Sequence, residues 1–97
     1  MRVISRKTLR TFWEHHPGTE QPLCAWYRRA ARADWQTPED IKRAYRSASF
    51  LAANRVVFNV KGNRFRLVVA VNYGYGILYI RFVGTHQEYD RIDASTV

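Results

Sequence analysis

The chain has 97 residues, a mass of 11.4 kDa, a formal net charge of +8 and a sequence pI of about 10.3. Hydrophobic residues make up 46% and aromatic residues 14%, enough for one packed domain over residues 1–97, which excludes intrinsic disorder. The longest uncharged run, Leu67–Ile80, has 14 residues and is too short to cross a bilayer, while the single Cys24 excludes an internal disulfide framework. No apolar signal region follows Met1, so we expect a cytoplasmic protein without a membrane segment.

The first half of the sequence predicts a strand and a helical hairpin. Arg2–Ile4 is typical of a short strand, and Ser5 is expected to cap a helix that runs to about His16. Pro17-Gly18 ends this helix, and a second amphipathic helix is predicted over Glu20–Ala33. The apolar faces of the two helices need a partner, which a sheet would supply.

The middle of the chain begins with Thr37 as a helix cap and Pro38 as the first helical residue. This short helix is predicted to end near Tyr45 and to lead into the loop Arg46–Asn54. Three segments rich in Val, Ile and Phe are then predicted as strands: Arg55–Lys61, Arg64–Val71 and Ile77–Val83.

A short terminal helix completes the predicted elements. Thr85 and Glu88 have the spacing of a capping box, in which the two residues bond each other's backbone N–H groups. The element order therefore predicts an α+β domain: a mainly antiparallel sheet, a two-helix hairpin packed on one face and a short C-terminal helix.

The two-residue turn predicted at Gly62-Asn63 sets the register of the first hairpin. In this register Lys61 pairs with Arg64. Asn59 then pairs with Arg66, so all four side chains share a polar, cationic face. The opposite face is expected to pack against the helices, and it carries Val56, Phe58, Val60, Phe65, Leu67 and Val69.

The next connection determines where Arg81 lies. With a four-residue connection, Tyr73–Gly76, Asn72 pairs with Ile77 and Arg81 pairs with Val68 on the cationic face. A connection of three or five residues would turn Arg81 into the core, where an unpaired guanidinium is costly. That cost favours the four-residue connection.

The positive charge is confined to one half of the chain. The segment Ile41–Gln87 contains no acidic residue, whereas the basic and acidic residues outside it cancel. Its eight cations are Lys42, Arg43, Arg46, Arg55, Lys61, Arg64, Arg66 and Arg81. A field of this kind favours a polyanionic partner, with Arg suited to forked contacts with phosphate; solvated strand and helix faces are the alternative explanation.

Two proton-transfer residues follow the strand that carries Arg81. His86 and Tyr89 lie one turn apart on the terminal helix and therefore share a face. Together with the cationic face they form a candidate constellation: Asn59, Lys61, Arg66, Arg81, His86 and Tyr89. Alternatively, His86 and Lys61 are ordinary surface residues and Tyr89 is a core aromatic.

These residues resemble a known family, the HigB toxins of bacterial type II toxin–antitoxin systems. The resemblance covers nearly the whole chain, including its opening Met-Arg-Val-Ile. The motifs that carry it are Val57-Phe58-Asn59-Val60, Gly62-Asn63, Arg66, Tyr79-Ile80-Arg81 and Thr85-His86-x-Glu88-Tyr89-Asp90.

The resemblance implies a RelE-like (RelE/ParE-like) fold and ribonuclease action on mRNA, commonly on the translating ribosome. It also implies neutralisation by a HigA-type antitoxin with a helix-turn-helix DNA-binding domain. We expect no cofactor and no metal site. The RNA-binding candidates are Asn59, Arg64, Arg55, Lys42 and Arg46.

Metal-independent cleavage of RNA requires a base for the 2′-OH, charge stabilisation at phosphorus and an acid for the leaving oxygen. His86 or Lys61 is the candidate base, and Tyr89 or His86 the candidate acid. Arg66 and Arg81 are the candidate electrostatic clamp.

Two other functions are compatible with this fold. One is a ParE-like toxin that acts on DNA gyrase, and the other is a non-catalytic module that binds RNA or the ribosome. A pure binding module needs the cations but has no use for the proton-transfer pair, His86 and Tyr89.

Overall fold

A five-stranded sheet lies at the centre of the molecule, in a computed structural model that describes residues 1–97. The elements in chain order are β1 (Arg2–Ile4), α1 (Arg6–His15), a 3₁₀ turn (Pro17–Thr19), α2 (Glu20–Arg32), α3 (Pro38–Ala44), β2 (Ser49–Leu51), β3 (Arg55–Val60), β4 (Phe65–Asn72), β5 (Ile77–Thr85) and α4 (His86–Tyr89). The strand order is β1-β5-β4-β3-β2, and only the β1–β5 pair is parallel. The predicted α+β class is confirmed. None of the helices has the length and apolar character that a membrane span requires.

The main core lies between the sheet and the helices α1, α2 and α3. Leu9, Leu23 and Ile41 place one fully buried side chain from each helix in this core. They meet the apolar face of the sheet, where Phe58 and Leu67 are also buried. The alternation in β3 and β4 therefore predicted the buried face correctly.

Two local predictions in the first half are wrong. Ser5 precedes α1 but adopts a left-handed conformation with φ of 75°, and its side chain caps nothing. The predicted loop 46–54 contains a strand, β2, in which Phe50 pairs with Val56 of β3. This strand has only three residues, all exposed, so it lacks the buried alternation that marks a strand in sequence.

The register of the first hairpin is confirmed, because Asn59 pairs with Arg66. The ladder nevertheless ends where Val60 pairs with Phe65, and a four-residue turn, 61–64, replaces the predicted two-residue loop. Lys61 begins this turn with φ of 52°, in the left-handed region. The predicted strand pairing of Lys61 with Arg64 is therefore wrong.

The four-residue connection after β4 is confirmed, because Asn72 pairs with Ile77. Farther along, a β-bulge interrupts the ladder: Val69 pairs with Ile80, whereas Val68 pairs with Phe82. Arg81 is the extra residue between them, so its predicted pairing with Val68 is wrong. Its side chain is exposed, as its charge requires.

The face of the sheet opposite the helices is not cationic throughout. Val57 and Val68 form a small apolar cluster with Ala94, and Phe82, Tyr89, Ile92 and Val97 pack around it. Residues after α4 thus cover the middle of this face. The same alternation that places Asn59 and Arg66 on this face also places Val57 and Val68 there. The sequence therefore contained the signal for an apolar cluster on this face.

The lack of a side chain at Gly84 leaves room for the Phe82 ring and the Glu88 carboxylate. A Cβ at this position would lie 2.5 Å from Cζ of Phe82 and 2.9 Å from a carboxylate oxygen of Glu88. A Cβ at Gly74 would instead meet only Asn72, at an ordinary distance of 3.5 Å.

We expect Gly84→Ala to lower the free energy of unfolding by about 1–3 kcal/mol, because the ring and the carboxylate must both move. Gly74→Ala is the matched control and should leave the free energy of unfolding nearly unchanged. Urea unfolding of both variants measures the difference. Equal midpoints for the two variants would contradict the close packing at residue 84.

Candidate functional site

The short helix α4 is fixed at its start by a capping box, as predicted. The backbone N–H of Glu88 donates to Oγ1 of Thr85 at 3.1 Å, and the N–H of Thr85 donates to the Glu88 carboxylate at 2.8 Å. The hydrogen bond from the Thr85 backbone lowers the pKa of Glu88. Glu88 therefore serves the helix start, which leaves the other side chains of α4 for chemistry.

A second contact joins α4 to the β3–β4 turn. The backbone N–H of His86 donates to the carbonyl oxygen of Arg64 at 3.0 Å. In the adjoining ladder Phe65 pairs with Thr85, and Arg66 pairs with Gly84. These contacts place the start of α4 beside the first residues of β4.

The carboxylate of the residue that follows α4 lies beside His86. Nδ1 of His86 lies 3.1 Å from Oδ2 of Asp90, four residues later. An ionised carboxylate only accepts hydrogen bonds, so this contact favours the tautomer with the hydrogen on Nδ1. In the neutral imidazole, Nε2 is then the nitrogen able to accept a proton. The side chain of His86 is 48% exposed, so a substrate can reach it.

Sequence reasoning did not assign this role to Asp90. The signal was the spacing of four residues, which places His86 and Asp90 on the same side of a helix.

Tyr89 and Arg66 meet at the same end of the sheet. The guanidinium carbon of Arg66 lies 6.0 Å from the centre of the Tyr89 ring. Nη1 of Arg66 donates to the carbonyl oxygens of Asn63, at 2.8 Å, and Phe65, at 3.1 Å. Tyr89 also packs against the apolar cluster at Val57. Tyr89 is thus a packed aromatic that also lies beside a fixed cation.

Arg81 lies on the same face but farther from α4. Its guanidinium carbon is 5.4 Å from the centre of the Tyr79 ring. Gly84 pairs with Arg66, and Arg81 lies three residues before Gly84 on β5. Arg81 and Arg66 are therefore separated by roughly 10 Å along the strand direction. Phe82 lies between Arg81 and Gly84 on β5.

Lys61 points in a different direction from the other catalytic candidates. A Cβ added at Gly18 would lie 2.5 Å from Nζ of Lys61, so the ammonium group rests against the connection between α1 and α2. Asn59 remains near Arg66 through the strand pairing, and its Nδ2 donates to Oδ1 of Asn63 at 3.4 Å. The structure therefore brings Arg66, His86 and Tyr89 together and leaves Lys61 apart.

The other RNA-binding candidates have different surroundings. Arg55 donates from Nη2 to the carbonyl oxygen of Val97 at 2.7 Å, which holds the segment after α4 against the sheet. Lys42 donates to the carbonyl oxygen of Ala48 at 2.9 Å. Arg46 and Arg64 are exposed. No three His, Cys, Asp or Glu side chains are grouped so that they could hold a metal ion.

Comparison with known proteins identifies one family. Residues 19–92 match the HigB toxin family, described as the RelE-like toxic component of a toxin–antitoxin system. The "mRNA interferase toxin HigB" of Escherichia coli (strain K12) is 35% identical over 92 residues, which are 93% of this chain and 88% of that protein. The "mRNA interferase HigB" of Shigella flexneri has the same values. The "mRNA interferase HigB" of Escherichia coli O6:H1 is 26% identical over 94 residues, covering 95% of this chain and 91% of its own.

The capping box predicts how acid affects stability. The pKa of Glu88 is lowered in the folded protein, so its ionised form stabilises the fold above its unfolded pKa, and this contribution is lost as pH falls through the lower folded pKa. Glu88→Gln keeps a hydrogen-bonding side chain but cannot titrate. We therefore expect the stability difference between wild type and variant to shrink as pH falls from 7 to 3. Thermal unfolding across this range measures it, and a constant difference would contradict the assignment.

Proposed function

The chain belongs to the HigB toxin family, and we propose that it acts as an mRNA interferase, an endoribonuclease that cleaves messenger RNA. Members of this family are the toxic components of toxin–antitoxin systems. The observation that carries the proposal is the group formed by His86, Asp90, Tyr89 and Arg66 at one end of the sheet. This group combines an oriented imidazole, a phenol and a fixed guanidinium, which are the side chains that RNA cleavage without a metal requires.

The reaction begins at the ribose 2′-OH. Nε2 of His86 takes the proton of this hydroxyl while Asp90 holds Nδ1. The 2′-oxygen attacks the adjacent phosphorus, and the bond to the 5′-oxygen of the next nucleotide breaks. Tyr89 gives its proton to that leaving oxygen. The products are a 2′,3′-cyclic phosphate and a 5′-hydroxyl.

Arg66 stabilises the negative charge that builds up on the phosphorane. Its Nη1 is held by two backbone carbonyls, so the guanidinium is oriented before the substrate binds. The Nη2 and Nε hydrogens remain for two phosphate oxygens. Arg81, on the same face, extends the positive field toward a neighbouring phosphate. Lys61, in this proposal, contributes to binding and not to proton transfer, because it points toward Gly18.

The partners follow from the same proposal. We propose that the message is cut on the translating ribosome in the cytoplasm and that a HigA-type antitoxin with a helix-turn-helix domain neutralises the toxin. The cationic segment Ile41–Gln87 would attract an acidic antitoxin segment electrostatically.

We expect His86→Ala to slow cleavage by a factor of about 10² to 10⁴, because it removes the base. RNA binding should change little, since the arginines hold the phosphates. His15→Ala is the matched control: His15 is exposed on α1 and its ring hydrogen-bonds to the carbonyl of Thr11 on the same helix, so its loss should leave the rate unchanged.

The measurement is single-turnover cleavage of a message on translating ribosomes, with EDTA in a parallel reaction. The metal-independent mechanism predicts equal rates with and without the chelator. Wild-type rates in the His86 variant would contradict the role of His86. Intact growth inhibition without any cleaved RNA would favour a gyrase-directed or purely binding toxin.

A further inference from the structure

A second group of cations lies on the helix side of the sheet edge, away from the face that carries Arg66. A groove of about 350 Å³ runs between the exposed face of α2, the end of α3 and the last residues of β3. Its polar side chains come from Arg29, Tyr45, Asn59 and Lys61, and no carboxylate lines it. The proposed cleavage steps use none of the side chains that line this groove.

The two cations of the groove have no acidic partner. The guanidinium carbon of Arg29 lies 4.9 Å from the centre of the Tyr45 ring, so the aromatic face orients it. The ammonium of Lys61 rests against Gly18, where the missing Cβ leaves room for it. Neither cation forms a salt bridge. Both side chains are exposed, and two cations that line one groove attract an anion to it.

The wall of the groove contains a buried donor without an acceptor. Trp26 is only 4% exposed, and its Nε1 has no hydrogen-bond partner. An indole nitrogen can only donate, so burial without an acceptor costs about 1–3 kcal/mol. Because Trp26 lines the groove, an anion seated there would change the electrostatic surroundings of this indole.

The β3–β4 turn connects this groove with the proposed catalytic group. Lys61 opens the turn on the groove side. At the other end of the turn, the carbonyl oxygen of Asn63 accepts from Arg66, and that of Arg64 accepts from the His86 backbone. A strand of RNA that leaves His86 across this turn therefore reaches Lys61 next.

We propose that the groove binds a backbone phosphate of the substrate RNA, outside the scissile linkage, between Lys61 and Arg29. The Tyr45 hydroxyl supplies a neutral donor for the same phosphate, and Trp26 forms part of the groove wall. This inference rests on the proposed function, in which RNA is the substrate. It assigns to Lys61 a binding role that is separate from the proton transfers at His86.

The matched variants are Arg29→Gln and Arg2→Gln, which remove the same charge. Arg2 is exposed on β1, at the opposite edge of the sheet from β3. We expect Arg29→Gln to weaken binding of a 2′-O-methyl RNA oligonucleotide, which cannot be cleaved, by about tenfold. Arg2→Gln should leave the affinity nearly unchanged. In cleavage assays Arg29→Gln should raise KM and leave kcat unchanged. Thermal unfolding verifies that both variants fold.

The indole N–H resonance of Trp26 reports on the groove itself. Addition of the same oligonucleotide to the wild type should shift this resonance, and Arg29→Gln should reduce the shift. Equal affinities of the two variants, or an unmoved resonance, would overturn the proposal. A resonance that responds to an acidic peptide and not to RNA would also overturn it, in favour of a protein segment in the groove.

The binding and cleavage assays together distinguish failure of the proposed function from failure of the groove proposal. A wild-type protein that binds the oligonucleotide through the groove and cuts no message would disprove the nuclease proposal and leave the RNA site standing. A protein that cuts the message with equal affinity in both variants would disprove only the groove.

Discussion

The antiparallel pairing of β4 with β5 is the interaction on which the rest of the structure depends. This ladder supplies Leu67 and Leu78, both fully buried, to the core under the helices. Its far end determines where α4 begins, because Thr85 both pairs with Phe65 and caps the helix. A four-residue helix has too few internal hydrogen bonds to be stable alone. His86 and its neighbours therefore keep their positions only while this end of the ladder is closed.

The cationic residues lie on two separate surfaces, divided by the β4–β5 ladder and the β3–β4 turn. The uneven charge of the sequence alone would suggest a single surface. On the face opposite the helices, an apolar cluster at Val57 and Val68 keeps the middle of the sheet dry, and Arg66 and Arg81 lie at its margin. On the helix side, Lys61 rests against Gly18 and lines one groove with Arg29, a residue outside the acid-free segment. In our proposals the first surface performs the chemistry, and the second holds the RNA strand that extends beyond it.

The parts of the fold that sequence predicted are those with clear local patterns: alternating apolar residues in strands and capping residues at helix starts. The alternation in β3 and β4 predicted the core face and the pairing of Asn59 with Arg66. The Thr37-Pro38 cap and the Thr85/Glu88 capping box predicted where α3 and α4 begin. Alternation cannot reveal a single inserted residue, so the bulge at Arg81 was missed. The direction of Lys61 depends on its left-handed backbone and on the absence of a side chain at Gly18, which are tertiary features. Of the proposed site, sequence predicted His86, Tyr89 and Arg66 as candidates, while Asp90 was missed although its spacing from His86 is readable in the sequence.

The central claim is that the group around His86 cleaves RNA through the 2′-OH of the substrate. A message on translating ribosomes that carries one 2′-deoxynucleotide at a mapped cleavage position tests it most directly. The account predicts that cleavage at this position disappears while cleavage at other positions continues, because only the modified nucleotide lacks its nucleophile. Undiminished cleavage at the deoxynucleotide, with the same 5′ end as in the unmodified message, would contradict the account.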